Sequence, residues 1–140
     1  TYPTGELFEL LYTSGILAQL MSAVGEDKAA FAQGVAAAKD AQLLNRVFSV
    51  RSLSLFNRLG GAAPRSYLSG LLVGTEIGDA MAVWPDSVAA GVVCIGSAGM
   101  IERYGAAAAQ LGLKLHGFDN AAILPGALHW LARSAGLMGS

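Results

Sequence analysis

The segment from Gly91 to Phe118 leaves this chain few ways to fold. Gly91 to Ile95 is a short apolar run rich in β-branched residues, and it stops at Gly96-Ser97. From Ala98 to Leu111 the pattern turns helical and alanine-rich, and Gly112 closes it. Leu113, Leu115 and Gly117 then alternate with Lys114, His116 and Phe118 as a second strand. Strand, helix and strand in that order predict two parallel strands joined by a right-handed crossover. The turn between the first strand and the helix is built from Gly96, Ser97, Ala98 and Gly99. Residues this small let the backbone approach a ligand, and a helix start offers amides to it. A plain structural turn accounts for the same residues, because Gly-Ser turns between strands and helices are common.

Upstream the chain reads as helices. Thr4 is placed to cap a first helix, with Glu6 and Glu9 near its positive end. Ile16 to Ala23 reads as a resumed helix ended by Gly25, and Glu26-Asp27 opens another that runs to about Lys39. Gln42 to Leu59 has apolar residues at helical spacing, and Gly60 to Pro64 is a loop. The helix from Pro64 to about Val83 carries Gly70, Gly74 and Gly78 at four-residue intervals. Each glycine costs about 1 kcal/mol relative to Ala in a helix interior. Close packing against a neighbouring helix is the plain reason for such a ridge, and a ligand contact is the other. Asp119 caps a last helix to about Ala135, in which Pro125 predicts a kink or a late start.

Composition narrows the class. The 140 residues are 54% hydrophobic and 14% charged, against about 45–50% and about 25% in ordinary globular domains. An interface surface or simple alanine richness explains this equally well. Residues 1–140 are read as a single domain long enough for a real core. A net charge of −1 steers neither nucleic acid nor anionic lipid. Glu76 and Asp79 interrupt the one run long enough to suggest a membrane span. The lone Cys94 reads as a small buried hydrophobe, and a single cysteine fits a reducing, cytoplasmic setting. His116 and His129 do not have the spacing of a metal site, and no metal is expected on this chain.

Five segments occur in a set order: Thr4-Gly5-Glu6-Leu7, Phe48 to Arg51, Tyr67 to Glu76, Ile95-Gly96-Ser97 and Arg103-Tyr104. This succession resembles the C-terminal part of the 2-dehydro-3-deoxygalactonokinase family, a branch of the sugar-kinase and actin superfamily. The resemblance runs from about Thr1 to about Leu137, and Ser69 to Glu76 is its strongest member. It implies an α/β fold: a helix-rich C-terminal lobe fragment of an actin-like ATPase and sugar-kinase fold, with a small partial sheet. The N-terminal lobe and the first strands of its own lobe would be missing, since neither phosphate motif of the family is present. It implies an enzyme that phosphorylates 2-dehydro-3-deoxy-D-galactonate at the 6-hydroxyl, using ATP with Mg²⁺, in galactonate catabolism. No catalytic residue is expected in this fragment, which alone would be inactive.

Under that resemblance Gly96, Ser97 and Ala98 fall where relatives hold adenosine. Thr4 and Glu6 fall near the phosphate or substrate side, and a helix cap with a dipole-complementing Glu explains them equally. Arg51 could fork onto the substrate carboxylate, or form an ordinary salt bridge. Glu76, inside an apolar helix, needs a partner either within the fold or across the lobes. The partners implied are the sugar acid, ATP, the missing lobe and a homodimer mate. The alternative is a non-catalytic helical interaction domain that dimerises through the glycine ridge and apolar surface.

Overall fold

The chain is seen in a computed structural model that describes residues 2–21, 23–40 and 42–137. Seven α-helices and two strands are described, in the order α1 (Thr4–Thr13), α2 (Lys28–Ala37), α3 (Leu43–Leu55), α4 (Ala63–Val83), α5 (Pro85–Ala89), β1 (Val92–Gly96), α6 (Ala98–Gln110), β2 (Leu115–Asp119) and α7 (Asn120–Ser134). The two strands are parallel, as the sequence pattern predicts, with Val92 opposite Leu115 and Gly96 opposite Asp119.

The long helix α4 is the axis of the molecule. Leu68 and Leu71 are fully buried, and they pack with Val50, Met21 and Leu17 in one apolar cluster. Val73 and Ile77, farther along, join Val35, Ala107 and Ala108 in a second. The same helix thus serves α1 and α3 through one cluster and α6 through the other.

Backbone-to-backbone contact joins α2 and α4. A Cβ at Gly70 would run into the carbonyl oxygen of Phe31, and one at Gly34 would strike Tyr67 O and Leu71 N at the backbone. At Gly74 it would lie 2.9 Å from Ala38 Cβ and 3.1 Å from Val35 Cα. Helix packing accounts for Gly70 and Gly74, but not for Gly78, which is exposed with nothing within 4 Å of the Cβ position. Gly34 on the facing helix completes the interlock. Close approach offsets the helical cost of these glycines with dispersion contacts a larger residue would prevent.

Around the sheet the packing is one-sided. Cys94, at 7% exposure, and Gly96 lie on the covered face, and Ile101 of α6 sits directly over Gly117. Val93, Ile95 and Phe118 point the other way and are 59%, 57% and 47% exposed. None of the described residues of α7 is buried. No helix among the described residues is long and apolar enough to cross a membrane.

Three local expectations are corrected. Thr4 does not cap α1: Pro3 holds that position without a side-chain bond, and Thr4 is already helical. Ile16 to Ala23 yields only a 3-10 turn over Ala18–Leu20, set off from α1 by Gly15 at φ +83°; Ser22 lies outside the described residues. Of the kink or late start expected at Pro125, the late start is excluded, since Pro125 lies inside α7. The helix begins at Asn120, where Asp119 Oδ1 accepts from the Ala121 amide at 2.9 Å.

Candidate functional site

Strand β1 ends at a point where the chain must turn sharply to start α6. Ser97 makes the turn in extended conformation and caps the helix, its Oγ accepting from the Met100 amide at 3.4 Å. That leaves the first amides of α6, on Ala98 and Gly99, without an intrahelical acceptor. Ser97, Ala98 and Gly99 are exposed, whereas Gly96 is buried under Met100. A Cβ at Gly96 would come within 2.6 Å of the Met100 sulfur. Of the three residues singled out from sequence, Ser97 and Ala98 therefore stand open at a helix amino end, suited to polar or anionic ligand atoms, and Gly96 is the buried strand end beneath them.

Behind the turn, α6 is tied to α4. Tyr104 donates its phenolic proton to Glu76 Oε2 at 2.6 Å. Burial first, and the Glu76 carboxylate next, push the phenol far above its ordinary range. The Cys94 thiol is pushed up as well, chiefly by burial, with a smaller contribution from Glu76. The Tyr104–Glu76 bond thereby ties α6 to α4. Two segments of the sequence resemblance, Tyr67 to Glu76 and Arg103-Tyr104, thus meet in space. The partner that Glu76 needs lies within the fold.

A cavity of about 250 Å³ opens beside α6, between it and α1, α2 and α4. Its walls include Phe8, Phe31, Ala32 and Ala106, and its polar groups include Glu26, Asp27, Ser66, Ser69 and Gln110. Arg65 lies at the same cavity with its guanidinium 4.9 Å from the Tyr12 ring centre, a cation–π contact that fixes α1 on α4. Lys28 and Glu102 close one rim with a 2.8 Å ion pair between exposed groups. Arg103 joins cavity and turn: it lines the one and donates from Nε to Gly99 O, at 3.1 Å, in the other. No local sequence signal marks this cavity, because its lining comes from separate helices.

The remaining candidates lie elsewhere. Thr4 and exposed Glu6 stand on α1, and half-buried Arg51 stands on α3. Among the described residues no hydrogen bond or ion pair joins any of them to Gly96, Ser97 or Ala98, and Arg51 makes no salt bridge with a described residue. Among the described residues no group of three or more His, Cys, Asp or Glu side chains could hold a metal ion.

Comparison with known proteins bears on this arrangement. The family model described as 2-keto-3-deoxy-galactonokinase matches residues 1–130. The probable 2-dehydro-3-deoxygalactonokinase of Rhizobium meliloti is 32% identical over 124 residues, which is 85% of this chain and 40% of that protein. A solved structure from Sinorhizobium meliloti, bearing the same enzyme name, superposes with a TM-score of 0.84 at 32% identity, over 94% of this chain and 45% of that one. The chain spans less than half the length of either relative.

Proposed function

The chain belongs to the 2-keto-3-deoxy-galactonokinase family, and from that premise we propose that it forms the nucleotide-facing part of an ATP-dependent sugar-acid kinase. The relatives' names point to 2-dehydro-3-deoxygalactonate as the acceptor. The observation that carries the proposal is the turn after Gly96, with Ser97 and Ala98 exposed at the amino end of α6, in a chain matched by the family over nearly its whole length. Phosphoryl transfer is largely a matter of positioning and charge stabilisation. The turn's contribution is to hold the adenosine side of ATP with exposed amides and the Ser97 hydroxyl, while α6 stays rigid through Tyr104 and Glu76. Mg²⁺ enters as the ion that accompanies ATP, and no step is assigned to it on this chain. Thr4, Glu6 and Arg51 remain candidates for the phosphate or sugar-acid side.

The outer face of the sheet and the exposed side of α7 are where we place the contact with the remainder of such an enzyme. An all-parallel sheet is ordinarily covered on both faces, and this one is covered on one. That surface also suits the second reading, an interaction domain or homodimer. A partner at the glycine ridge is not available to it, since Gly70 and Gly74 are occupied by α2. A reducing, cytoplasmic setting fits a chain whose lone cysteine is a buried thiol.

Titration of the chain with Mg·ATP, followed by amide chemical shifts and compared with GTP, tests the proposal. Saturable shifts at Gly96 to Met100, stronger for ATP and abolished by Gly96→Asp, are expected. Shifts that ignore this turn, or survive Gly96→Asp unchanged, would remove it from the nucleotide site.

A further inference from the structure

Helix α3 carries a second apolar stripe, turned away from the core. Its inner side is spent on the fold: Val50 is fully buried, and Leu43, Val47 and Leu53 pack against the same cluster. Leu44, Phe48 and Leu55 point elsewhere and are 91%, 55% and 62% exposed. Together with Arg51 they follow at intervals of four, three and four residues, which sets all four on one side of the helix. That is the spacing of a helix–helix seam. Among the described residues Arg51 has no hydrogen bond, ion pair or ring contact. Phe56, just past the end of α3 and also exposed, extends the apolar surface beside Ser52 and Leu53.

An apolar seam interrupted by one cation needs an occupant that answers the cation. A second copy of α3 does so if it runs antiparallel. A two-fold axis midway along the stripe sets Leu44 of one copy against Leu55 of the other, and Arg51 against Phe48, twice over. A guanidinium stacks well on an aromatic face, and more strongly where water is excluded. Parallel pairing in register would instead set Arg51 against Arg51, with two like charges inside the seam. A foreign helix would have to bring its own aromatic or acidic group to the right place. The stripe already contains its own complement, and that selects a second copy of this chain.

We propose that the outer side of α3 is a self-association surface, on which two copies of the chain pair antiparallel through Leu44, Phe48, Arg51 and Leu55. The pairing does not depend on the nucleotide reading above. It lies on a different face from the sheet and α7, and it turns Arg51 away from the sugar-acid side. So few side chains make a small interface, of the class below about 1,200 Å² that holds weak complexes. A dissociation constant on the order of 0.1 mM is expected.

Sedimentation equilibrium from about 10 µM to about 1 mM chain brackets that value and tests the proposal. The parent should pass from monomer to dimer across this range. Leu44→Glu and Phe48→Glu, both at exposed positions, should weaken the dimer at least tenfold with an unchanged circular dichroism spectrum. Arg51→Glu should weaken it several-fold, and Leu128→Glu on α7 should leave it as it is. Cross-linking reads the direction of pairing. In a Cys94→Ala background, a mixture of Leu44→Cys and Leu55→Cys chains should join through a short bismaleimide. Leu44→Cys alone should not, because like positions lie about 16 Å apart along an antiparallel seam. A monomer throughout the range would overturn the proposal, and so would a dimer that survives Phe48→Glu. Loss of the dimer in Leu128→Glu alone would overturn it in favour of the sheet and α7 face. Cross-linking of Leu44→Cys to itself would overturn the antiparallel pairing.

Discussion

Two regions of this chain treat apolar residues in opposite ways. Along α2 and α4, helices approach to backbone contact, and Val35, Leu68 and Leu71 have no exposed surface. In the β1–β2 and α7 region, large apolar residues stand in the open: Ile95 is 57%, Leu128 55% and Trp130 69% exposed. Both regions are made of the same kinds of residue. The lesson is that apolar content does not locate a core. Geometry that lets two elements meet does, and here glycines on facing helices provide it. The candidate site lies at the seam, with α6 fastened to the packed region and β1 belonging to the open one.

Breaking the packed region should have the largest effect. Gly70→Val places a branched side chain against the Phe31 backbone, which cannot move aside as a flexible side chain could. Overpacking ordinarily costs about 1–3 kcal/mol, and we expect the upper end or loss of the folded state, read by urea titration. Gly78→Val on the same helix, with open space around it, should fold normally, and equal damage from both would refute the interlock. Leu71→Ala, at a fully buried position, should cost about 2–5 kcal/mol by the transfer and cavity terms together.

The seam should respond at an intermediate level. Tyr104→Phe removes the donor from half-buried Glu76, and a lost bond to a charged group costs about 1.5–3 kcal/mol. It also carries a pH signature. The folded state holds the Tyr104 proton more tightly than the unfolded chain does. Its contribution is therefore complete below the unfolded tyrosine pKa of about 10 and falls as pH rises beyond it. Thermal melts in alkaline buffers should show the parent losing stability more steeply than Tyr104→Phe. Identical slopes would mean that the phenol is not held by Glu76.

The open region should be nearly silent. Leu128→Ala on α7 removes an exposed side chain, and its effect on the global unfolding free energy should stay within about 0.5 kcal/mol. A cost like that of Leu71→Ala would show that α7 is packed in solution against something, another copy included. Concentration-dependent melting would identify that case.

Much of this was legible in the sequence because it depends on local chemistry. The β1-α6-β2 succession follows from β-branched runs, a glycine-serine turn and an alanine-rich helical period, and Gly112 takes φ +79° where it ends α6. Asp119 and Asp27 cap helices as short polar residues do. Gly96, Ser97 and Ala98 lie together on one turn because they are neighbours in the chain. The partner of Glu76 was a different matter. Its position in an apolar helix says that it needs one, yet only the packing of α6 on α4 brings Tyr104 across 28 residues to meet it. The same holds for Gly34, which has no periodic companion on α2 and gains its meaning from the helix opposite. The cavity is the extreme case, since Phe8, Asp27, Ser69 and Arg103 share no motif and become neighbours only when four helices pack. Turns, caps and periods are set by interactions within a few residues, and a sequence carries those openly. Contacts between distant elements depend on how closely two surfaces approach, and that distance exists only in the folded chain.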